Sequence, residues 1–277
     1  MTPERIQGLY IAKLDTGLSP RTIKYIHTVL HKALSTAIKW HKIGSNPCDS
    51  VDLPKAQHTE MQIWSESEIP KFLDASRNTP YYYLFYTALF TGARRGELLA
   101  LRWQDCDLLN GQLSISRSVQ HVKGKYIFSQ PKSEKSRRTI ALPPSTTIRL
   151  KQLRESTEHL RSRLGQTVRD SDLVFTHTFD GKPLRPNTVS RAWERIAKKA
   201  GLKVIRFHDA RHTHASLLLK QGVPLKVVSE RLGHSSISIT ADIYSHVTPG
   251  MQESAAKLFD DAISTKYNEI EKSVTIP

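Results

Sequence analysis

Four short clusters in this 277-residue chain hold side chains that could act on a substrate. They are Thr91-Gly-Ala-Arg94-Arg95-Gly-Glu97-Leu98, Pro131-Lys132-Ser-Glu-Lys135-Ser136-x-Arg138, His208-Asp-Ala-Arg211-His212-Thr-His214, and Leu232-Gly-His234 with Tyr244 ten residues on. Each has a plain structural reading. Arg94 and Glu97 stand three apart on a helix and could form a surface ion pair, which contributes little. Lys132 could be one more lysine in a basic loop. Leu-Gly-His is a common helix stop, with the histidine beside the negative end of the dipole. A single tyrosine is more often packed than reactive.

Read together, the clusters describe attack on a phosphodiester. Such attack builds charge on the phosphoryl oxygens, and guanidinium forks neutralise that charge in matched bidentate geometry. Arg94 and Arg211, from distant segments, could clamp the two non-bridging oxygens. His208 lies one helical turn from Arg211, so it points the same way and can donate a further hydrogen bond. Lys132 on a hairpin turn could protonate a leaving oxygen, and Tyr244 could store the bond covalently. No metal or cofactor is expected. His208 and His212 at i, i+4 resemble part of a zinc site, but a zinc hydrolase wants glutamate in the second place of His-Glu-x-x-His. Here that place is Asp209, and Arg211 would set a cation beside the ion.

Composition points to the same substrate. Lys plus Arg number 41 against 26 acids, a formal charge of +15, while the last 27 residues are mildly acidic. A basic body implies a polyanionic partner, most simply nucleic acid. Two cysteines exclude a disulfide scaffold and fit a reducing cytosol. The strongly apolar stretch Tyr81–Phe90 is half the length of a membrane span, and Met1–Gln7 lacks the layout of a signal peptide.

The elements that must position these residues are mostly helical. Ser19 and Pro20 open a helix to about Trp40, with Ile23, Ile26, Leu30, Leu34, Ala37 and Ile38 on one stripe. Its far side carries Lys24, Lys32 and Lys39, either a solvated face or one that tracks phosphates. Asn46-Pro47 ends this region, and Cys48–Gln62 has no period. Ser65-x-x-Glu68 forms a capping box for a helix to about Ser76. Tyr81–Phe90 reads as a buried helix, and Arg94–Trp103 resumes helical spacing. Gln112–Leu142 reads as a three-stranded antiparallel sheet turning at Lys123-Gly124. Helices follow from Pro144 to about Gly165, then at Asn187–Ala200, Phe207–Gln221, Pro224–Leu232, Ile237–Ser245 and Met251–Ile263.

The chain resembles the tyrosine recombinases, specifically the integrases of phages and conjugative elements, over essentially its full length. The family's marks are Thr-Gly-x-Arg-x-Gly-Glu-Leu, a lysine in a β-turn, His-x-x-Arg-His, and Leu-Gly-His before Tyr-x-His. They stand here, in order, at 91–98, 132, 208–212, 232–234 and 244–246. The resemblance implies that Arg94 and Arg211 bind the scissile phosphate with help from His208 and His234. It further implies that Lys132 is the general acid, Tyr244 the nucleophile, and Glu97 a carboxylate that orients the site. Arg95 and Lys135 compete with Arg94 and Lys132, and the motif register favours the latter pair. Lys24, Lys32, Lys39, Arg95 and Arg138 are expected to contact DNA.

The expected fold is mainly α with a small antiparallel β-sheet, an all-helical core-binding domain followed by an α+β catalytic domain. The expected boundaries are 1–50 for the helical DNA-binding domain, 51–64 for a linker, 65–250 for the catalytic domain, and 251–277 for a tail that docks on a neighbouring protomer or on its own domain. The expected function is site-specific recombination of a mobile element through a 3′-phosphotyrosine, without cofactor. The rivals are a type IB topoisomerase and a non-catalytic DNA-binding regulator. The expected partners are double-stranded attachment or inverted-repeat sites, a homotetramer on DNA and accessory directionality factors, with no membrane. The expected location is the cytoplasm of a bacterium, on the nucleoid, encoded by the host or a phage. Integrases of this kind usually begin with a small arm-binding domain, and the start at Thr2-Pro-Glu-Arg-Ile-Gln reads as a truncation.

Overall fold

The computed structural model describes residues 1–55, 61–130, 137–177 and 181–244, together with 256, 257, 259–261, 263 and 264, and gives the backbone alone for 242–244. The chain divides into two units, Met1–Glu60 and Met61–Pro277.

In the first unit, α1 (Pro3–Asp15) and α2 (Pro20–Lys39) pack around Ile6, Tyr10, Ile23 and Cys48. Helix α1 escaped the sequence reading because its apolar signal is thin: only Ile6 and Tyr10, one turn apart, are buried. Helix α2 starts where its signals place it, with the Ser19 hydroxyl accepting the Thr22 N–H at 3.2 Å. After α2 the Asn46 side chain makes the turn, accepting the Cys48 N–H at 3.0 Å and donating to His31 O at 3.1 Å. Lys24, Lys32 and Lys39 are exposed on α2, as are Tyr25, Val29 and Trp40.

The second unit opens on α3 (Glu68–Ser76), where Glu68 Oε2 accepts the Ser65 N–H and hydroxyl at 2.7 and 2.8 Å. Helix α4 (Tyr82–Thr91) is buried almost throughout and ends at Gly92. The helix expected over Arg94–Trp103 is only α5 (Arg95–Leu98), followed by a 3₁₀ turn at Trp103–Asp105. Leu98, Leu99 and Leu101 are apolar because this segment is enclosed on all sides, not because it carries a helical stripe. Its backbone bonds go across the fold instead: Val174 N–H donates to Leu101 O at 2.9 Å, and Trp103 N–H to Asp172 O at 3.1 Å.

The single sheet expected over Gln112–Leu142 is two sheets. Strands β1 (Cys106–Asp107), β2 (Gln112–Ile115) and β5 (Arg138–Ala141) form one in the order β1-β2-β5, antiparallel, with Leu113 opposite Ile140. Strands β3 (Ser118–Val122) and β4 (Lys125–Ser129) form a separate hairpin that turns at Lys123-Gly124. The split follows burial, since Leu113, Ile115 and Ile140 face the core whereas the hairpin buries Val119 and exposes Ile127 and Phe128.

Helices α6 (Pro144–Ser162), α7 (Pro186–Lys199), α8 (Asp209–Lys220), α9 (Leu225–Leu232) and α10 (Ile237–Tyr244) complete the described part of the unit. The described residues between 256 and 264 are helical. Trp193 of α7 anchors the core, with Trp64 stacked on it at 4.9 Å, Phe72 at 4.2 Å and Phe85 edge-on at 5.2 Å. The two indoles donate to the chain just before α8, Trp64 Nε1 to Lys203 O and Trp193 Nε1 to Ile205 O, both at 2.9 Å. That grip sets the start of α8, where the site begins. Among the described residues no helix is long and apolar enough to cross a membrane.

Candidate active site

The first arginine of the site is presented by a helix start. Arg94 stands just before α5 in extended conformation, and its backbone N–H donates to Glu97 Oε2 at 2.8 Å. Its guanidinium donates to Glu97 Oε1 at 2.8 Å and to Gly233 O at 3.1 Å, yet the side chain stays 40% exposed. The second arginine comes from α8. Arg211 is buried, and its Nη1 donates to Gly92 O at 2.9 Å, two residues from Arg94.

Both acceptors of these arginines are glycines in close quarters. Gly92 has φ +64°, and a Cβ there would lie 2.7 Å from Leu232 and 2.8 Å from the His214 ring. Gly233 has φ +67°, and its Cβ would lie 2.8 Å from Arg138 Nη1. Both positions combine a left-handed backbone with close contact, which only glycine accommodates. Gly92 thus packs against Leu232 and His214, and Gly233 against Arg138, while their carbonyls receive Arg211 and Arg94.

Three histidines complete the cluster. His208 stands immediately before α8 and lines the cleft; burial, and then the nearby Arg211, hold its pKa below the ordinary value. The His212 ring stands edge-on to it at 5.1 Å, and burial followed by His208 lowers His212 to about 4. His234 follows Gly233, with Nδ1 hydrogen-bonded to the buried Thr240 hydroxyl at 2.7 Å. Burial, Arg211 and Arg94 push it down to about 4. At neutral pH these rings are uncharged, so they serve as hydrogen-bonding groups while the arginines supply the positive field. Asp209 takes no part in this chemistry. Its carboxylate is spent on Arg206, at 2.8 and 3.0 Å, which braces the turn that presents His208.

Beneath the arginines lies Glu97, a buried acid. Burial would raise its pKa, but hydrogen bonds from Arg138 and the charges of Arg138 and Arg94 hold it below the usual range. Arg138 was expected on DNA and is placed otherwise: its side chain is 6% exposed and its three nitrogens donate to Glu97 and to Arg231 O. Its spacing of 41 residues from Glu97 hides that pairing from a sequence reading. Sequence reasoning also missed Arg231, which donates to His214 Nε2 at 3.0 Å, Ala141 O at 3.0 Å and Phe90 O at 3.1 Å. His214 in turn donates from Nδ1 to Leu89 O at 2.9 Å, and burial drives it down to about 3.

A cleft of about 930 Å³ runs from Arg94 and His208 between β3 and the start of α7. Arg95 lies in it, half-buried, and donates to Pro186 O at 3.1 Å and to the Ser190 hydroxyl. Arg185 and Arg191 add charge, so the wall of the cleft is basic. Of the remaining expected residues, Lys24, Lys32 and Lys39 belong to the first unit. Lys132 and Lys135 lie outside the described residues. Tyr244 ends α10, and its side chain likewise lies outside them. Among the described residues no three His, Cys, Asp or Glu side chains group as metal ligands.

The phage integrase family model matches residues 62–251. The ICEBs1 integrase of Bacillus subtilis (strain 168) is 32% identical over 252 residues, which cover 90% of this chain and 68% of that protein. A XerC-like tyrosine recombinase of Caldanaerobacter subterraneus subsp. tengcongensis is 32% identical over 274 residues, covering 93% and 70%. Among solved structures, the Tn1549 transposon integrase in complex with transposon right end DNA superposes with a TM-score of 0.79 at 21% identity, covering 95% of this chain and 86% of that one. A lambda integrase dimer bound to a COC′ core site gives 0.64 at 24% identity, covering 88% and 79%. At these identities the structural likeness shows a shared fold.

Proposed function

The chain belongs to the phage integrase family of tyrosine recombinases, and we propose that it cuts and rejoins DNA strands at attachment or inverted-repeat sites of a mobile element through a 3′-phosphotyrosine at Tyr244. The observation that carries this reading is the convergence of Arg94 and Arg211, through Gly233 and Gly92, beside neutral His208 and His234. Such a site takes an anion with two non-bridging oxygens, as a phosphodiester has.

In the proposed reaction the Tyr244 phenol gives up its proton to solvent as its oxygen bonds to phosphorus, and the bond to the 5′-oxygen breaks. Arg94 and Arg211 bear the charge that develops on the phosphoryl oxygens. His208 and His234 add hydrogen bonds, and Lys132 gives the departing 5′-oxygen its proton. A partner strand's 5′-hydroxyl reverses the step, so the bond energy is retained and no ATP is needed. Lys24, Lys32 and Lys39 of α2 and the basic cleft contact the duplex; four protomers act together, and the tail beyond 250 docks on a neighbour.

The test is incubation with a nicked attachment-site duplex, followed by denaturing gels and a search for recombinant product. Covalent adduct with joined sites supports recombination. Adduct without joined sites, together with relaxation of a supercoiled plasmid, makes it a topoisomerase, and binding without adduct a regulator. Tyr244→Phe should bind its site normally and form no adduct, because only the nucleophilic oxygen is lost. An adduct in Tyr244→Phe refutes the assignment.

A further inference from the structure

Glu97 is held by two arginines from opposite sides, and its four acceptor sites are all taken. Arg94 fills two of them, from its backbone N–H to Oε2 and from Nη1 to Oε1, both at 2.8 Å. Arg138 fills the other two, with Nη2 to Oε2 at 2.8 Å and Nη1 to Oε1 at 3.2 Å. A carboxylate offers about four lone-pair directions, so this pattern leaves it no freedom to rotate. Arg138 is itself fixed, because Nε donates to Arg231 O at 2.8 Å and its stem passes over Gly233, where a Cβ would lie 2.9 Å from Cδ. The same glycine's carbonyl receives Arg94.

From this closed arrangement, and resting on the recombinase reading above, we propose that Arg138 is a positioning residue for strand cleavage, holding the Glu97 carboxylate so that Arg94 meets the scissile phosphate in one orientation. Arg138 is not placed to contact DNA, since each of its three guanidinium nitrogens already donates to a protein acceptor and its side chain is 6% exposed. Without it, Glu97 faces Arg94 alone. The carboxylate then turns into a two-pronged pair with that guanidinium and takes the N–H groups meant for the phosphate. Misplacement on the scale of 1 Å costs ~10²-fold in rate.

The experiment measures DNA affinity, the saturating rate of adduct formation on the nicked duplex from pH 5 to 9, and the melting temperature. It compares wild type, Arg138→Met, Arg138→Lys, Glu97→Gln and the double variant Glu97→Gln/Arg138→Met. Leu150→Ala, a core truncation in α6, is the control for lost stability alone. Arg138→Met is expected to bind DNA as wild type does and to cleave ~10²-fold more slowly at saturation. Arg138→Lys keeps the charge without the fork and should fall between them; it carries the test should Arg138→Met not fold. The double variant should be no slower than the worse single, because both act through one carboxylate. Arg94 and Arg138 are the charged groups facing Glu97, so losing Arg138 raises its pKa, and the acid limb of the rate profile should move to higher pH. Leu150→Ala should lower the melting temperature without moving that limb. Wild-type saturating rates in both Arg138 variants overturn the proposal, as does lost affinity with normal saturated cleavage, which would make Arg138 a DNA contact. Absence of adduct with wild type would instead refute the recombinase reading itself.

Discussion

At the scale of single residues the site is an arrangement of charge around a few fixed backbone oxygens. Arg94 and Arg211 each donate to a main-chain oxygen, Gly233 O and Gly92 O, and Arg94 is held by the Glu97 carboxylate as well. Lys132 is the proposed proton donor of the reaction, and its role can be separated from theirs. A general acid contributes ~10²–10⁴-fold, so Lys132→Ala should slow cleavage by that order. A 5′-thio leaving group hardly needs a proton. Lys132→Ala should therefore recover most of its rate on a 5′-phosphorothiolate duplex, whereas Arg94→Ala should not, because its part is charge stabilisation. Thio rescue in Lys135→Ala but not in Lys132→Ala would shift the assignment by three residues.

At the scale of elements, helix starts and helix stops present the chemistry. Arg94 precedes α5, His208 stands immediately before α8, and His234 follows the left-handed stop of α9. Helix α2 plays a different part, with Lys24, Lys32 and Lys39 on an exposed face that also carries Tyr25, Val29 and Trp40. If that face tracks phosphates, Lys24→Gln/Lys32→Gln should reduce the slope of log affinity against log salt by roughly two, at ~0.9 per phosphate. An unchanged slope, measured by titration at several salt concentrations, would return α2 to the solvent.

For the whole molecule, the buried histidines tie stability to pH. His214 titrates at about 3 and His212 and His234 at about 4, all below the ordinary value of 6.5. Between those values the unfolded chain binds more protons than the folded one, so stability rises with pH across the window. It is complete above about 6.5 and declines as pH falls toward 4. Denaturant midpoints from pH 7.5 to 5 should fall accordingly. His214→Gln can still donate to Leu89 O and accept from Arg231, but it cannot take up a proton, so its midpoints should fall less steeply. Equal slopes in the two proteins would mean that His214 does not remain neutral in the fold.

Much of this was legible in the chain itself. The helices α2, α7 and α9 declare themselves through local start or stop signals and periodic apolar residues, because a helix is stabilised by neighbours three and four apart, whereas α4 shows itself only as an apolar run. The spaced Arg94, Arg211, His208, Lys132 and Tyr244 point to phosphoryl transfer because that reaction draws on groups of these types, while His234 enters through the family resemblance. Local spacing could not foresee that Arg94–Trp103 would leave the helix after Leu98, since its backbone partners lie near residues 172–174. Nor could it divide the sheet, a matter of which strand faces the core. Arg138 is the plainest case. A basic residue in a basic protein reads as a DNA contact until the fold brings Glu97, 41 residues away, against it. Residue type and spacing determine which chemistry is available; long-range packing decides which charges meet the substrate and which are buried to hold the others in place.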